Sequence, residues 1–300
     1  MKHERIDFFM ANSIALAQKF LPVIDDTYTA TSVTAVLDTA SQADFSGASE
    51  VKVLKVSTTG LGDYSRTEGY PKGDVTAIWE TLKLTKERGK EFSVDRMDDE
   101  ETLGMAFGAV TGEFMRQWVC PELDAYRFAN YASTQGVLSA EDTLTRENLV
   151  AAIDEAVRAM DEQEVPEDGR ILFVNSELKP VMNEAFARSW GSDAAINSKL
   201  AAYNNMPVIF VPKTRFFTGV ALNDGTDACG YSKASDAVSI NFMIIQPSAV
   251  LQAKKFCMPK IFSPDENQSM DMWKFQFRLY HDCFVYDNKK AGVYVHKSIA

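Results

Sequence analysis

Three hundred residues, 46% hydrophobic and 24% charged, fit one large globular domain or two modest ones. No apolar run reaches the ~18 residues of a membrane helix, so no membrane contact is expected. A net charge of −11 excludes a surface that grips nucleic acid by neutralising phosphates, though not an acidic wall that faces nucleic acid without holding it.

The N-terminus, MKHERIDFFMANSIALAQKFLP, carries Glu4 and Asp7 where a signal peptide is basic. Ile6, Phe9, Met10, Ile14, Ala17 and Leu21 recur near helical spacing, which predicts an amphipathic helix and synthesis in the cytoplasm. Residues 25 to 50 are rich in Thr, Ser, Ala and Asp and read as an irregular extended segment. Val51 to Ser57 alternates as a strand, closed by Gly60-Leu61-Gly62.

The stretch from Gly60 to Glu101 is the most informative part of the chain. Apolar residues are sparse in it, and charges of both signs crowd between them. It reads as two extended arms, the second from about Glu87 to Asp95 with Phe92 and Val94 on one face. A two-stranded arm is marginal in water without a further strand or a packing surface. This one has too little apolar material for a core of its own, so its packing surface is expected on another copy of the chain.

Asp95 or Asp98 then caps a helix whose first turn carries Asp98, Asp99, Glu100 and Glu101, favourable at the positive end of the helix dipole. A divalent-ion site is the other reading of that acidic turn. Leu103, Phe107, Val110, Phe114, Trp118, Pro121, Ala125, Phe128 and Ala132 form one long stripe to about Ser133. Such a helix spans roughly 54 Å, about the full width of a compact chain of this length, which predicts a flat or elongated subunit. Pro121 should kink it near Gln117, since it removes one helical donor and crowds the preceding turn. Gly104, Gly108 and Gly112 lie on one ridge, either for close approach of another backbone or as tolerated glycines.

From about Ser139 to Val250 helices and strands alternate. Leu149, Ile153, Val157 and Met160 make a helical stripe, ILFVN (171–175) a buried strand, and Glu177 to Trp190 a second helix. PVIFVP (207–212) and SINFMIIQP (239–247) read as further strands of a central sheet. In the tail, Trp273, Phe275, Phe277 and Leu279 alternate with polar residues. Asp287 to Gly292 turns the chain, and Val293, Val295 and Lys297 return.

The sequence offers little catalytic chemistry. It contains no G-x-S-x-G, no G-x-x-x-x-G-K-[ST] and no H-E-x-x-H. Gly60-x-Gly62 lacks the third glycine of a dinucleotide site. His281-Asp282-Cys283 could suggest a metal or nucleophile cluster, but with only His3 and His296 besides, packing is the better reading. Cys120, Cys229, Cys257 and Cys283 form no C-x-x-C pair and read as buried reduced thiols. No cofactor and no metal are expected.

Taken together, GLGDYSRTEGYPKGDVTAIWETLKLTKERGKEFSVDRMDDEET, GEFMRQWVCPELDAYRFANYA and MIIQPSAVLQAKKFCMPKIFSPDENQSMDMWKFQFRLYHDCFVYDNKKAGVYVHK resemble the major capsid proteins of tailed bacteriophages. Encapsulins and the herpesvirus capsid floor share that fold. The blocks occur in the family's order across roughly the whole chain.

The resemblance implies an α+β fold in five parts. These are an N-terminal arm (1–50), an extended β loop with flanking strands (51–97), a spine helix of the peripheral domain (98–138), an α/β axial domain (139–251), and peripheral β strands (252–300). It also implies self-assembly into hexamers and pentamers of an icosahedral head that encloses double-stranded DNA without sequence-specific binding. The expected setting is a virion assembled in the host cytoplasm, with a portal and a separate scaffolding protein unless a fused scaffolding segment was removed. No motif identifies an isopeptide cross-link. The candidate intersubunit residues are Arg66, Glu68, Lys72, Asp74, Trp79, Glu80, Leu82, Glu87, Arg88, Lys90, Phe92, Asp95 and Arg96. An encapsulin-like shell around a protein cargo is the alternative. A soluble α/β hydrolase is a third reading, weakened by the missing nucleophile–base pair.

Overall fold

The computed structural model describes residues 32–38, 50–67, 69–70, 72–97, 111–189, 202–255, 260–267 and 270–299. The predicted N-terminal helix, Glu68, the first part of the long helix with Gly104 and Gly108, and Cys257 lie outside the described residues.

Two sheets share one helix. Helical structure runs from Thr111 through a π-turn at Met115–Val119 into α1 (Cys120–Ser133). The π-turn falls where the sequence reading placed a kink. Pro121 has no amide hydrogen to donate to Gln117, so the backbone widens over that turn. Val119, Cys120 and Leu123 then pack on a four-stranded sheet, while Phe128, Tyr131 and Ala132 pack on a six-stranded one.

The four-stranded sheet centres on β13 (Met272–Val285), the long alternating strand of the tail. One side of it pairs with β11 (Val250–Lys255) and β12 (Lys260–Phe262), the other with β3 (Lys86–Asp95) over ten residue pairs. Phe275, Phe277 and Leu279 turn to the helix, where Phe114 meets Phe277 edge-on at 5.7 Å. β3 is the arm that the sequence reading took for the returning half of a free loop. That expectation is corrected. β3 alternates because Phe92 and Val94 face the helix side while Glu87, Glu91 and Asp95 face water.

The six-stranded sheet runs β4 (Leu138–Glu141), β14 (Val293–Lys297), β10 (Ile240–Ile245), β5 (Ile171–Asn175), β7 (Met206–Val211) and β6 (Ala202–Tyr203). β4–β14 and β5–β7 are parallel and the other pairs antiparallel. Every residue of β5 and β10 is buried, because α1 covers one face while α2 (Leu149–Asp161) and α3 (Lys179–Ser189) cover the other. Continuous apolar runs are the sequence form of such two-sided burial. Burying one of their Phe or Ile side chains contributes about 1.5–3 kcal/mol. The tail does not close as a hairpin. After Asp287–Gly292, β14 leaves β13 and joins β10, so the last strand belongs to the six-stranded sheet and not to the four-stranded one.

Candidate assembly surface

Among the described residues, β1 (Glu50–Thr58) and β2 (Val75–Lys83) pair antiparallel only with each other, from Glu50↔Lys83 to Thr58↔Val75. Residues opposed across an antiparallel pair share a face, so Val51, Val53 and Leu82 stand on one face of this ribbon. They root it on Leu251, Ala253, Tyr280 and Phe284 of the four-stranded sheet. Lys55, on the same face, pairs with Asp287 at 3.5 Å.

Beyond that root the ribbon has no apolar support from the described residues of its own chain. Val56, Ala77, Trp79 and Val75 line the opposite face, with Trp79 62% and Val75 72% exposed. Ile78 is exposed as well. The tip from Thr59 to Asp74 holds itself by main-chain bonds between Ser65 and Gly69 and by the Tyr64–Tyr70 ring contact at 4.9 Å. Gly69 takes φ +84°, which the tight turn there requires. Five basic and five acidic side chains make residues 50–83 neutral, so the net charge of −11 resides in the rest of the chain.

The candidate interface residues therefore divide. Arg66, Lys72, Asp74 and Trp79 are exposed on the ribbon, Glu80 is half-buried, and Leu82 belongs to the root. The other six stand on β3 or just after it. Arg88 makes a bidentate pair with Glu122 of α1 (Nε to Oε1, 2.6 Å; Nη2 to Oε2, 3.1 Å) and donates to the Asn223 carbonyl at 2.7 Å. Phe92 packs on Phe114 and Phe275. Glu87 accepts from Arg278 at 2.7 Å, the Asp95 carboxylate accepts from the Met97 amide, and Arg96 pairs with Asp265 and Asp271. Lys90 lines a cleft of about 360 Å³ between the helix, β3–β13 and the loop joining β8 (Val220–Leu222) to β9 (Tyr231–Lys233). Trp118, expected on the inward stripe, is half-exposed in this cleft, against Gly230.

One assembly of side chains was missed in the sequence. Asp124 in α1 is wholly buried. Its carboxylate accepts from Ser32 Oγ (2.8 Å), Val33 N (3.0 Å), Thr34 N (3.1 Å), Thr34 Oγ1 (2.7 Å) and Arg215 Nη1 (3.1 Å). Arg127, one turn on, donates to Thr34 Oγ1 and pairs with Asp38, which also pairs with Lys254. The short turn Val33–Leu37 is thereby fastened where the two sheets meet on the helix.

His281, Asp282 and Cys283 are all buried. Asp282 accepts from the Thr85 amide, the Thr85 hydroxyl and the Tyr126 hydroxyl. Burial, with Arg127 nearby, pushes His281 down to about 3, and burial pushes the Cys283 thiol up to about 12. Neither a charged imidazole nor a thiolate exists there at neutral pH, as packing requires. Cys120 and Cys283 are buried as expected. Cys229 is exposed on the β8–β9 loop, which departs from the buried-thiol reading. No cluster of potential metal ligands occurs among the described residues.

Solved structures share this arrangement. The capsid of cyanophage P-SCSP1u superposes with a TM-score of 0.61 at 12% identity, over 88% of this chain and 86% of its own. The mature capsid of bacteriophage PhiM1 gives 0.56 at 10% identity, over 84% and 82%. A virus-like particle from Pyrococcus furiosus gives 0.56 at 9% identity, over 94% and 99%. The fold is the phage capsid fold. No protein-family model matches the chain, and no curated protein does.

Proposed function

We propose that this chain is a structural major capsid protein, not an enzyme, which assembles through hexamers and pentamers into a closed icosahedral shell around double-stranded DNA. One observation carries the proposal: the β1–β2 ribbon exposes an apolar face that nothing described in its own chain covers. A lone two-stranded ribbon does not sustain itself in water, and a second copy is the surface that the capsid fold supplies.

On this reading Arg66, Lys72, Asp74, Trp79 and Glu80, with Glu68 by its place in the sequence, face a neighbour. Glu87 and Asp95 stand on the exposed side of β3, with Arg96 just after it, where a neighbour's ribbon can lie, and Lys90 faces solvent from the cleft on the helix side. Exposed ion pairs contribute only about 0–1 kcal/mol each. Weak pairs repeated by symmetry let misplaced subunits leave before the shell closes. The charge carried outside the neutral ribbon makes an acidic wall, which repels phosphate and leaves packaged DNA mobile. A scaffolding protein and a portal complete the expected set of partners, and the virion is the expected location.

The likeness to the Pyrococcus furiosus virus-like particle supports the shell itself, and a shell that encloses a protein cargo is the second reading. Sedimentation of the purified chain tests the common part of both readings. Rings or closed particles are expected, and a monomer at all concentrations overturns both. Nuclease-protected DNA inside particles selects the first reading, and a co-purifying protein without DNA selects the second.

A further inference from the structure

The cleft beside Trp118 is a second apolar surface that the described residues leave open. It encloses about 360 Å³ between the helix, β3–β13 and the β8–β9 loop. Phe114, Leu123 and Phe277 line it, and Trp118 stands half-exposed in it. A concave, mostly apolar space with a few polar groups is the usual form of a binding site. Its walls differ in charge. β3 supplies Lys90, exposed and without an ion-pair partner among the described residues. The facing loop supplies Asp224, exposed, whose carboxylate accepts from Thr226 of the same loop. Arg88 and Glu122, deeper in the cleft, satisfy each other.

No ribbon residue lines this cleft in its own subunit. The β1–β2 ladder is unbroken from Glu50↔Lys83 to Thr58↔Val75 and carries its tip roughly 30 Å from the root. The tip presents what the cleft lacks. Leu61, Tyr64 and Tyr70 are exposed there, the two rings packed on each other. Asp63 and Arg66 flank Tyr64 in the chain, both exposed and both without ion-pair partners among the described residues. An apolar knob with one anion and one cation thus matches an apolar cleft with one cation and one anion. β3 is the outer strand of its sheet, paired among the described residues only with β13, so no further strand there bars the approach.

We propose that the cleft receives the ribbon tip of a second copy of this chain, with Leu61 and Tyr64 entering against Trp118, Asp63 toward Lys90 and Arg66 toward Asp224. Tip and cleft are different surfaces, so the contact is heterologous. Each subunit offers one of each, and copies joined in this way close into rings when the rotation allows. The proposal rests on the shell reading and adds to it the acceptor site of the ribbon.

Cys229, an exposed thiol on the cleft wall, reports on occupancy. Maleimide should label it in dissociated wild-type subunits. In assembled particles its labelling, read by mass spectrometry of its own peptide, should slow about tenfold or more, since reaction requires access to the thiol. Disulfides form only between residues whose Cα atoms lie within about 7 Å. Particles of Leu61→Cys or Tyr64→Cys, oxidised with copper phenanthroline, should therefore give a dimer that joins the introduced thiol to Cys229 of the partner subunit. The same variants with Cys229→Ser should not. Particles in which Cys229 stays as reactive as in subunits overturn the proposal and leave the shell reading standing. So do particles in which neither variant links to Cys229, or in which the link lies within one subunit. A chain that forms neither rings nor particles removes the shell reading and this contact with it.

Discussion

Asp124→Ala is the sharpest perturbation of the fold. The carboxylate has no contact with water and takes five donors, four of them from residues 32–34. Hydrogen bonds to a charged acceptor contribute about 1.5–3 kcal/mol each, but they are not additive when one group makes them all. The substitution strands two backbone amides and leaves Arg215, itself mostly buried, without this anion. Breaking a buried pair from one side costs about 3–5 kcal/mol, against a typical total of about 5–15 kcal/mol. Arg215 lies closer to solvent than Asp124 and can rehydrate, so a loss of about 3–4 kcal/mol is expected in urea unfolding. A cycle with Thr34→Val should show at least ~1 kcal/mol of coupling, because the Thr34 hydroxyl donates to this carboxylate and also accepts from Arg127. A loss below about 1 kcal/mol, or additive effects of the two substitutions, would refute the fastening described for residues 32–38.

Arg88→Glu sets a second carboxylate against Glu122 and should lower the melting temperature, with the charge exchange Arg88→Glu/Glu122→Arg recovering part of the loss; equal melting of all three proteins would deny that this pair holds β3 to the helix. Trp79→Asp, on the exposed face of the ribbon, should change subunit stability by no more than about 0.5 kcal/mol while reducing particle yield in sedimentation. Normal yield from it would remove Trp79 from the interface. Thiol alkylation mapped by mass spectrometry at neutral pH should modify Cys229 and spare Cys120 and Cys283, since the first is exposed and burial holds the Cys283 thiol up at about 12. Rapid labelling of Cys283 would contradict its packing.

Elements with a single dominant cause were legible in the sequence. β5 and β10 announce themselves as unbroken apolar runs because both faces are covered. α2 shows its stripe because only one face is. Pro121 foretold the irregular turn at Met115–Val119 because a missing donor acts locally. Pairing partners were not legible. β3 has the charge density of a free arm, and nothing in its own ten residues says that β13 lies beside it. β14 follows β13 at hairpin distance, yet it pairs with β10 and β4 and is covered on its two faces by α1 and α2, elements far off in the chain. Asp124 and Arg127 look like solvent-facing charges on a helix. Only the arrival of Ser32, Thr34 and Asp38 from some ninety positions away makes them interior.

The ribbon is the part of the proposed assembly surface on which the sequence reading and the structure rest the same argument: too little apolar material lies within reach to cover it. A cryo-electron-microscopy reconstruction of the assembled protein tests that reading most directly. The account predicts closed particles in which Val56, Val75 and Trp79 of each ribbon are covered by an adjacent subunit. A well-ordered solitary subunit, its ribbon folded back on its own body at high concentration, would contradict it.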